Sequence, residues 1–202
     1  MSAVTFMPPT RFARVEKTLA RGAVPRSRNI SFLDLQNVQT LIALTPINLY
    51  EESQKDINKD VIEFIEKRGI KYMHVPSDSS VKDKGKNREI PITHEQVIMI
   101  LEVILKKDSG NVYIYCWNGG QITSLVIACL RKIQMWSSVS IFDEFVCFSE
   151  SANHNDRVFV DNFIPKMVLP LKDDRVDWLW KGLNENVIIN HPLLKNIQFV
   201  QS

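Results

Sequence analysis

The sequence predicts an α/β domain with a largely parallel central sheet flanked by helices. Short apolar and β-branched runs alternate with segments of helical periodicity, which is the pattern of such a sheet. The 202 residues are enough for one hydrophobic core. Hydrophobic residues make up 45% and charged residues 24% of the chain, both ordinary for a globular protein.

The first quarter of the chain carries two strand-like runs and a short helix. The run "TLARGAVP" predicts a strand that turns at Gly22 and Pro25. The segment "NISFLDLQ" predicts a short helix with Ser31 as its N-cap, because Asp34 follows at the spacing of a first helical turn. The run "VQTLIALTP" predicts a buried strand that ends at Pro46.

The alternation continues to the middle of the chain. A second helix is indicated by four apolar residues at helical spacing, Ile57, Val61, Phe64 and Ile65, with Gly69 placed to end it. The run "IKYMHVP" predicts a strand, and "SDSSVKDKGKNREIP" predicts a long polar loop. Thr93 and Gln96 have capping-box spacing and open the amphipathic helix "THEQVIMILEVILKK".

A final strand, "VYIY", precedes three predicted helices. The first helix is indicated by apolar residues at i, i+3, i+4, i+7, i+8 and i+11: Ile122, Leu125, Val126, Cys129, Leu130 and Ile133. The segments "SSVSIFDEFVCF" and "NDRVFVDNFIP" predict two more. The pattern weakens from Leu171, where we expect a tail that wraps the domain or is partly mobile.

Charge and composition argue against several classes of function. The net charge of +2 is too small to indicate a nucleic-acid-binding protein. The three cysteines have no metal-ligand spacing, and neither do the four histidines, so we expect no metal and no cofactor. No apolar run reaches membrane-spanning length, and the N-terminus lacks the apolar core of a signal peptide. We therefore expect a cytoplasmic protein with free thiols and no membrane partner.

One stretch, "VYIYCWNGGQIT", has the outline of an anion-binding loop. Cys116 ends a strand, two glycines follow, and a helix then begins. Inward-pointing backbone N–H groups and the helix N-terminus would bind an anion and favour a nucleophilic thiolate. We expect Gly119 and Gly120 to allow close approach and positive φ. The alternative from spacing alone is that Cys116 is a small buried hydrophobic residue at a strand end.

The chain resembles the cysteine-dependent tyrosine and dual-specificity phosphatases, whose signature is H-C-x-x-G-x-x-R-[ST]. Within them it is similar to the plant and fungal atypical dual-specificity group, which includes inositol-pyrophosphate phosphatases and the fungal proteins of oxidant-induced cell-cycle arrest. The similarity runs from about Pro8 to Pro170 and includes "RGAVP", "FLDLQNVQTLIALTP", "ACLRKIQMWSSVSIFDEF" and "FVDNFI". The resemblance implies a cysteine-phosphatase fold over residues 8–170, with residues 171–202 as a C-terminal extension.

The resemblance also assigns roles to the loop. Cys116 matches the nucleophile, Gly119 the motif glycine, and Thr123 the hydroxyl residue that bonds the cysteine sulfur in the family. The remaining loop positions, Trp117, Asn118, Gly120, Gln121 and Ile122, would line the anion site. Four positions depart from the family: Tyr115 replaces the histidine, Gly120 and Gln121 replace the lysine and histidine of the inositol-pyrophosphate enzymes, and Ile122 replaces the arginine.

Isoleucine at 122 supplies neither charge nor donor. An arginine that serves a phosphoryl-transfer transition state is worth roughly 10³–10⁵ in rate, so we expect little or no turnover. The alternative for Ile122 itself is that it simply joins the core through the apolar stripe of the following helix. The candidates for the general acid are Asp78 and Asp83, although both also suit a turn.

Two groups of basic residues have two possible interpretations each. Lys82, Lys84, Lys86 and Arg88 either form a solvated face or a basic loop over the pocket mouth. Arg21, Arg26 and Arg28 are expected to be solvated, with anion contact as the alternative.

Three functional hypotheses follow. The first is a pseudophosphatase that acts as a binding or scaffolding subunit in a hetero-complex with related phosphatase-like proteins. The second is a weak phosphatase acting on phosphotyrosine or an inositol pyrophosphate. The third is a sensor that binds a phosphorylated small molecule. Isoleucine at 122 favours the first and third over the second.

Overall fold

The structure is a computed structural model that describes residues 6–51, 56, 58–79 and 88–200. The chain divides into two compact units. The first consists of residues 1–77 and 109–123, and the second of residues 78–108 and 124–202. The predicted strands fall in the first unit, and most of the helices fall in the second.

A five-stranded sheet forms the centre of the first unit. Its strands are β1 (Ala13–Glu16), β2 (Leu19–Ala23), β3 (Thr40–Leu44), β4 (Lys71–His74) and β5 (Val112–Cys116). Their order is β1-β2-β5-β3-β4, and every pair is parallel except β1–β2. The predicted strands β2 to β5 are confirmed. The sequence did not indicate β1, because this short edge strand is polar and none of its residues is fully buried.

Two helices cover one face of this sheet within the first unit. They are α1 (Ile30–Leu35) and α2 (Lys59–Arg68). The core between helices and sheet includes Leu33, Phe64, Leu41 and Tyr115. Gly69 takes φ 61° immediately after α2, which confirms its predicted role in ending the helix. Ile57 lies outside the described residues.

The predicted N-cap of α1 is wrong. Ser31 lies inside the helix, because a 3₁₀ turn, Ser27–Asn29, precedes it. The carboxylate of Asp34 instead forms an ion pair with Arg68, at 2.5 Å. The spacing of Ser31 and Asp34 therefore does not mark the start of the helix, because the 3₁₀ turn leads into the helix before Ser31.

The second unit is mainly helical. It contains α3 (His94–Ile104), α5 (Ser138–Ser149), α6 (His154–Asn162), α7 (Glu185–Asn190) and most of α4 (Gln121–Ile133). The capping box predicted for α3 is confirmed, because Thr93 and Gln96 each accept from the other's backbone N–H. The stripe predicted for α4 is buried from Leu125 onward.

The C-terminal residues belong to the second unit. Strands β6 (Val168–Pro170) and β7 (Gln198–Val200) form a parallel pair. Trp178 and Trp180 are buried, and the Trp180 indole donates to the Ile133 carbonyl oxygen at 2.8 Å. No described helix is long and apolar enough to cross a membrane.

Candidate active site

Cys116 lies at the carboxyl end of the central strand of the sheet. In the register of the parallel strands it is opposite Ala23 of β2 and Leu44 of β3. Its carbonyl oxygen accepts a hydrogen bond from the Val24 N–H at 2.9 Å, which extends the ladder by one residue. Ligands of parallel sheets bind at this edge of the strands. The structure therefore places the predicted nucleophile where the sheet topology allows a site.

Gly119 fixes the path of the loop that follows Cys116. Its φ is +70°, as predicted, whereas the φ of Gly120 is not positive, so the prediction is confirmed for Gly119 and wrong for Gly120. A Cβ atom here would lie 2.6 Å from the carbonyl carbon of Gly22 and 2.7 Å from the nitrogen of Ala23. Glycine is therefore needed both for the backbone conformation and for the approach of the loop to β2.

Arg21 braces the loop from within the first unit. It lies on β2 and is only 1% exposed. Its Nη2 donates to the Gly119 carbonyl oxygen at 2.9 Å and to the Gly120 carbonyl oxygen at 3.5 Å. Arg11 makes a similar contact from Nη1 to the Asn118 carbonyl oxygen at 3.1 Å. The expectation that Arg21 is solvated is wrong, because every residue of β2 is buried.

The side chain of Asn118 turns back into the loop. Its Oδ1 accepts a hydrogen bond from the Gly120 N–H at 2.8 Å. The Cys116 thiol also donates to this oxygen, at a sulfur–oxygen distance of 3.7 Å. The carboxamide oxygen of Asn118 therefore links the Cys116 thiol to the Gly120 N–H.

Thr123 does not take the role that the resemblance implied. It lies in the first turn of α4 and is 0% exposed. Its Oγ1 has no hydrogen-bond partner among the described residues. The sulfur of Cys116 instead bonds to Asn118. A buried hydroxyl without a hydrogen-bond partner costs free energy. A hydrogen bond between the Thr123 hydroxyl and the Cys116 sulfur would avoid this cost.

Ile122 is the second residue of α4 and is only partly buried. The alternative that it simply joins the core is therefore met only in part, because the stripe is fully buried only from Leu125 onward. Its side chain brings an apolar surface to the first turn of α4. Gln121 beside it is also partly buried, and Trp117 at the start of the loop is 64% exposed.

Tyr115, at the position of the family's histidine, belongs to the core. It is only 1% exposed. Burial, followed by the effect of Tyr72, raises the pKa of Tyr115 well above its ordinary value. Its neighbour Tyr113 donates to the Ala23 carbonyl oxygen at 2.7 Å, and burial likewise raises its pKa. Both phenols are structural groups in the core of the first unit.

Of the two general-acid candidates, only Asp78 lies among the described residues. Asp78 is exposed and belongs to the second unit, where its N–H donates to the Pro91 carbonyl oxygen at 2.9 Å. Asp83 lies outside the described residues, as do Lys82, Lys84 and Lys86. Their predicted roles stay predictions.

Arg88 differs from the expectation of a basic loop. It is 8% exposed, and its guanidinium forms an ion pair with the fully buried Asp156 of α6. The same guanidinium donates to the Ser151 carbonyl oxygen at 2.6 Å. The Arg88 carbonyl oxygen accepts from the side chains of Asn153 and Asn155, at 3.0 Å each. Arg88 therefore holds the start of α6 in place and is not a solvated ligand-binding cation.

The sequence identified the strand, the cysteine, the glycines and Asn118 as a loop position, but it missed the contact of Arg21 with the loop and the turn of the Asn118 side chain toward Cys116. A signal for Arg21 was present, since it is the charged residue of an otherwise apolar strand, "LARGA". No comparable signal marked Asn118, because its role depends on the turn of its side chain. Among the described residues, no cluster of His, Cys, Asp and Glu could hold a metal ion.

Comparisons with known proteins agree with this geometry. The profile of a family described as the tyrosine phosphatase family matches residues 6–182. The chain is 31% identical over 185 residues to OCA6 of Saccharomyces cerevisiae, whose name assigns it provisionally to the tyrosine-protein phosphatases; the match covers 87% of this chain and 80% of OCA6. It is also 31% identical to the inositol diphosphatase DSP2 of Oryza sativa, over 80% of this chain and 74% of that protein.

Solved structures show the same fold. The core catalytic domain of the phosphatase SIW14 from Saccharomyces cerevisiae, crystallised with citrate, superposes with a TM-score of 0.65 at 28% identity. The match covers 79% of this chain and 88% of that domain. TpbA of P. aeruginosa, at 16% identity and a TM-score of 0.53, supports the fold alone. The predicted cysteine-phosphatase fold is confirmed.

Proposed function

Because this chain belongs to the tyrosine phosphatase family, we propose that it is a pseudophosphatase that acts as a binding or scaffolding subunit. The observation that carries the proposal is Ile122, an uncharged and only partly buried residue at the place of the signature arginine. Charge-assisted hydrogen bonds to a phosphoryl group contribute about 1.5–3 kcal/mol each. Isoleucine forms none of them.

The rest of the loop supports the same proposal. The carboxamide of Asn118 bonds the sulfur and the Gly120 N–H, and the Thr123 hydroxyl has no described partner. The arginines that contact the loop, Arg11 and Arg21, donate to its carbonyl oxygens and thereby brace its backbone. Neither contact replaces a cation that grips the transferring group.

The partners that we propose are related phosphatase-like proteins, in a hetero-complex. This part of the proposal rests on the resemblance to the fungal cell-cycle-arrest group. A phosphorylated small molecule is the alternative ligand, and binding it would make the chain a sensor.

A weak phosphatase is the second candidate function. It is favoured by the presence of Cys116 at the carboxyl end of the central strand and by the inositol diphosphatases among the relatives. Its substrate would be phosphotyrosine or an inositol pyrophosphate. The two candidates differ in one measurable property, which is turnover.

Turnover is measured with the purified chain and its Cys116→Ser variant, on an aryl phosphate and on an inositol pyrophosphate. We expect no difference between the two proteins on either substrate. Cysteine-dependent turnover approaching about 1 s⁻¹, the low end of ordinary enzymes, would contradict the pseudophosphatase proposal.

The scaffolding role is tested in the cell by the same substitution at the native gene. Serine is nearly isosteric with cysteine but is not a thiolate nucleophile. We therefore expect cells with the variant to assemble the same complex and to show the same phenotype as cells with the unsubstituted chain. Co-purified proteins are identified with and without the substitution. A lost phenotype with normal folding and assembly would show that the thiol chemistry is required.

A further inference from the structure

The carboxamide of Asn118 is held inside the loop by two hydrogen bonds of different origin. Its Oδ1 accepts from the backbone N–H of Gly120 at 2.8 Å and from the thiol of Cys116 at 3.7 Å. The first bond alone would be an ordinary turn between residues two apart. The second hydrogen bond joins the Asn118 side chain to Cys116, the residue at the nucleophile position. Only the protonated thiol of Cys116 can donate this bond.

The backbone around Asn118 is built to admit this contact. A Cβ atom on Gly120 would lie 2.9 Å from Oδ1, so a larger residue at 120 would push the carboxamide away. Gly119 is fixed by its approach to β2, and Arg21 holds the carbonyl oxygens of both glycines. Arg11 holds the carbonyl oxygen of Asn118 itself. The Asn118 Oδ1 therefore lies in a loop whose backbone path is set by its approach to β2 and by its hydrogen bonds with Arg21 and Arg11.

We propose that the Asn118 side chain is an internal cap, which occupies the loop in place of an anion and competes with anions for the Gly120 N–H. This inference rests on the proposed function, since both describe a loop that does not catalyse. It adds how the loop is kept from binding an anion. An anion that enters must displace the neutral Asn118 oxygen, and the two hydrogen bonds of that oxygen are then lost. At the net strength of neutral hydrogen bonds, the competition weakens anion binding by about tenfold.

The first test measures the affinity of the full chain for inorganic phosphate by calorimetry, in three variants. Asn118→Ala removes the cap and should bind phosphate about tenfold more tightly than the unsubstituted chain. Asn118→Asp keeps an acceptor in the same place and adds a negative charge, so it should show no gain. Asn162→Ala, at an exposed asparagine that ends α6, is the matched control and should leave the affinity unchanged.

The second test follows hydrogen exchange of the Gly120 amide, which reports the cap without any ligand. We expect exchange about tenfold faster in Asn118→Ala and near the original rate in Asn118→Asp. A purely structural asparagine would give the opposite phosphate result, because a loosened loop binds the anion less well. Phosphate affinity in Asn118→Ala that is equal or lower, including no detectable binding in either protein, would overturn the proposal. So would an unchanged Gly120 exchange rate.

The two proposals fail separately. Turnover by the unsubstituted chain would contradict the proposed function, yet the comparison of the Asn118 variants would still decide whether the cap exists. Conversely, if the Asn118 variants show no cap, the expected effect of Ile122 on turnover is unchanged.

Discussion

At the scale of single residues, Arg21 carries a charged group into the interior of the first unit. A buried guanidinium is costly unless it is hydrogen-bonded, and here it donates to the carbonyl oxygens of Gly119 and Gly120. Those carbonyls belong to the loop after Cys116. The residue therefore ties the conformation of the loop to strand β2.

We predict that Arg21→Met lowers the free energy of unfolding by about 1.5–3 kcal/mol, the usual value of a hydrogen bond to a charged group. Methionine keeps much of the apolar stem but leaves the loop carbonyls without this donor. The measurement is urea unfolding. Arg28→Met, at an exposed arginine of the 3₁₀ turn, is the control and should change stability by less than about 0.5 kcal/mol. Equal losses in both variants would contradict a bracing role for Arg21.

We predict that Ile122→Arg alone leaves turnover below about 1 s⁻¹ on an aryl phosphate. The Asn118 carboxamide would still bond to the Cys116 thiol, and Tyr115 stays in the core where the family has its histidine. Residues that act as a unit are strongly non-additive, so one replacement restores little. Ile122→Leu is the control for the change itself. Rates typical of the family from Ile122→Arg would show that the remaining site is intact.

At the scale of elements, β5 combines the nucleophile position with two buried phenols. Tyr113 and Tyr115 lie on one face of the strand, and Cys116 ends it. Burial raises the pKa of both tyrosines above the ordinary value of 10.0. We therefore expect the strand that carries the cysteine to contribute to the alkali sensitivity of the first unit.

We predict that the free energy of unfolding falls as the pH rises above 10. Below pH 10 both tyrosines are protonated whether the chain is folded or not. Above it the unfolded phenols ionise while the buried ones keep their protons, so unfolding is favoured by about 1.4 kcal/mol per pH unit for each group. Urea unfolding between pH 8 and 11 measures this slope.

The variant that isolates one of these phenols is Tyr115→Phe, which should reduce the slope by about 1.4 kcal/mol per pH unit. The control is Tyr50→Phe, because Tyr50 is only partly buried, although burial raises its pKa too. A slope that Tyr115→Phe leaves unchanged would mean that this phenol ionises in the folded chain.

Helix ends in the second unit are closed by side chains from other elements. The last carbonyls of a helix have no partner within it. In α6, the carbonyl oxygens of Val160 and Asp161 accept from Lys132, at 2.9 and 2.6 Å. In α4, the Ile133 carbonyl oxygen accepts from Trp180. These contacts connect α4 to α6 and to the C-terminal residues of the same unit.

At the scale of the whole molecule, the residues after 170 are part of the fold of the second unit. Val176 N–H donates to the Leu105 carbonyl oxygen at 3.1 Å, next to α3. Trp178 and Trp180 are 9% and 6% exposed, so both side chains pack within the unit. The domain boundary predicted after residue 170 stays a prediction, and the family match extends past it to residue 182.

We predict that Trp180→Phe lowers the free energy of unfolding by about 1–3 kcal/mol. Phenylalanine keeps most of the apolar contact but loses the indole N–H, which leaves the Ile133 carbonyl oxygen without this donor. Trp117→Phe, at the 64% exposed tryptophan of the loop, is the control and should stay within about 0.5 kcal/mol. Similar small effects in both variants would mean that the C-terminal residues contribute little to the stability of the second unit.

The amino-acid sequence alone predicts the alternation of strands and helices, the capping box at Thr93, the helix end at Gly69 and the position of Cys116 at a strand end. These features are local, since each depends on residues within one or two turns or strands of each other. It also determined the chemical deficit at Ile122, because a missing charge is visible without coordinates.

The polar side chains that build the loop could be identified only in the folded chain. Arg21 and Gly119 are 98 residues apart in sequence and meet only because β2 pairs with β5. Arg88 became a structural residue only through Asp156, 68 residues away. The turn of Asn118 toward Cys116 depends on a path fixed by β2. Contacts between distant segments and side-chain rotamers leave no periodic mark in a sequence, which is the physical reason why these assignments required the fold.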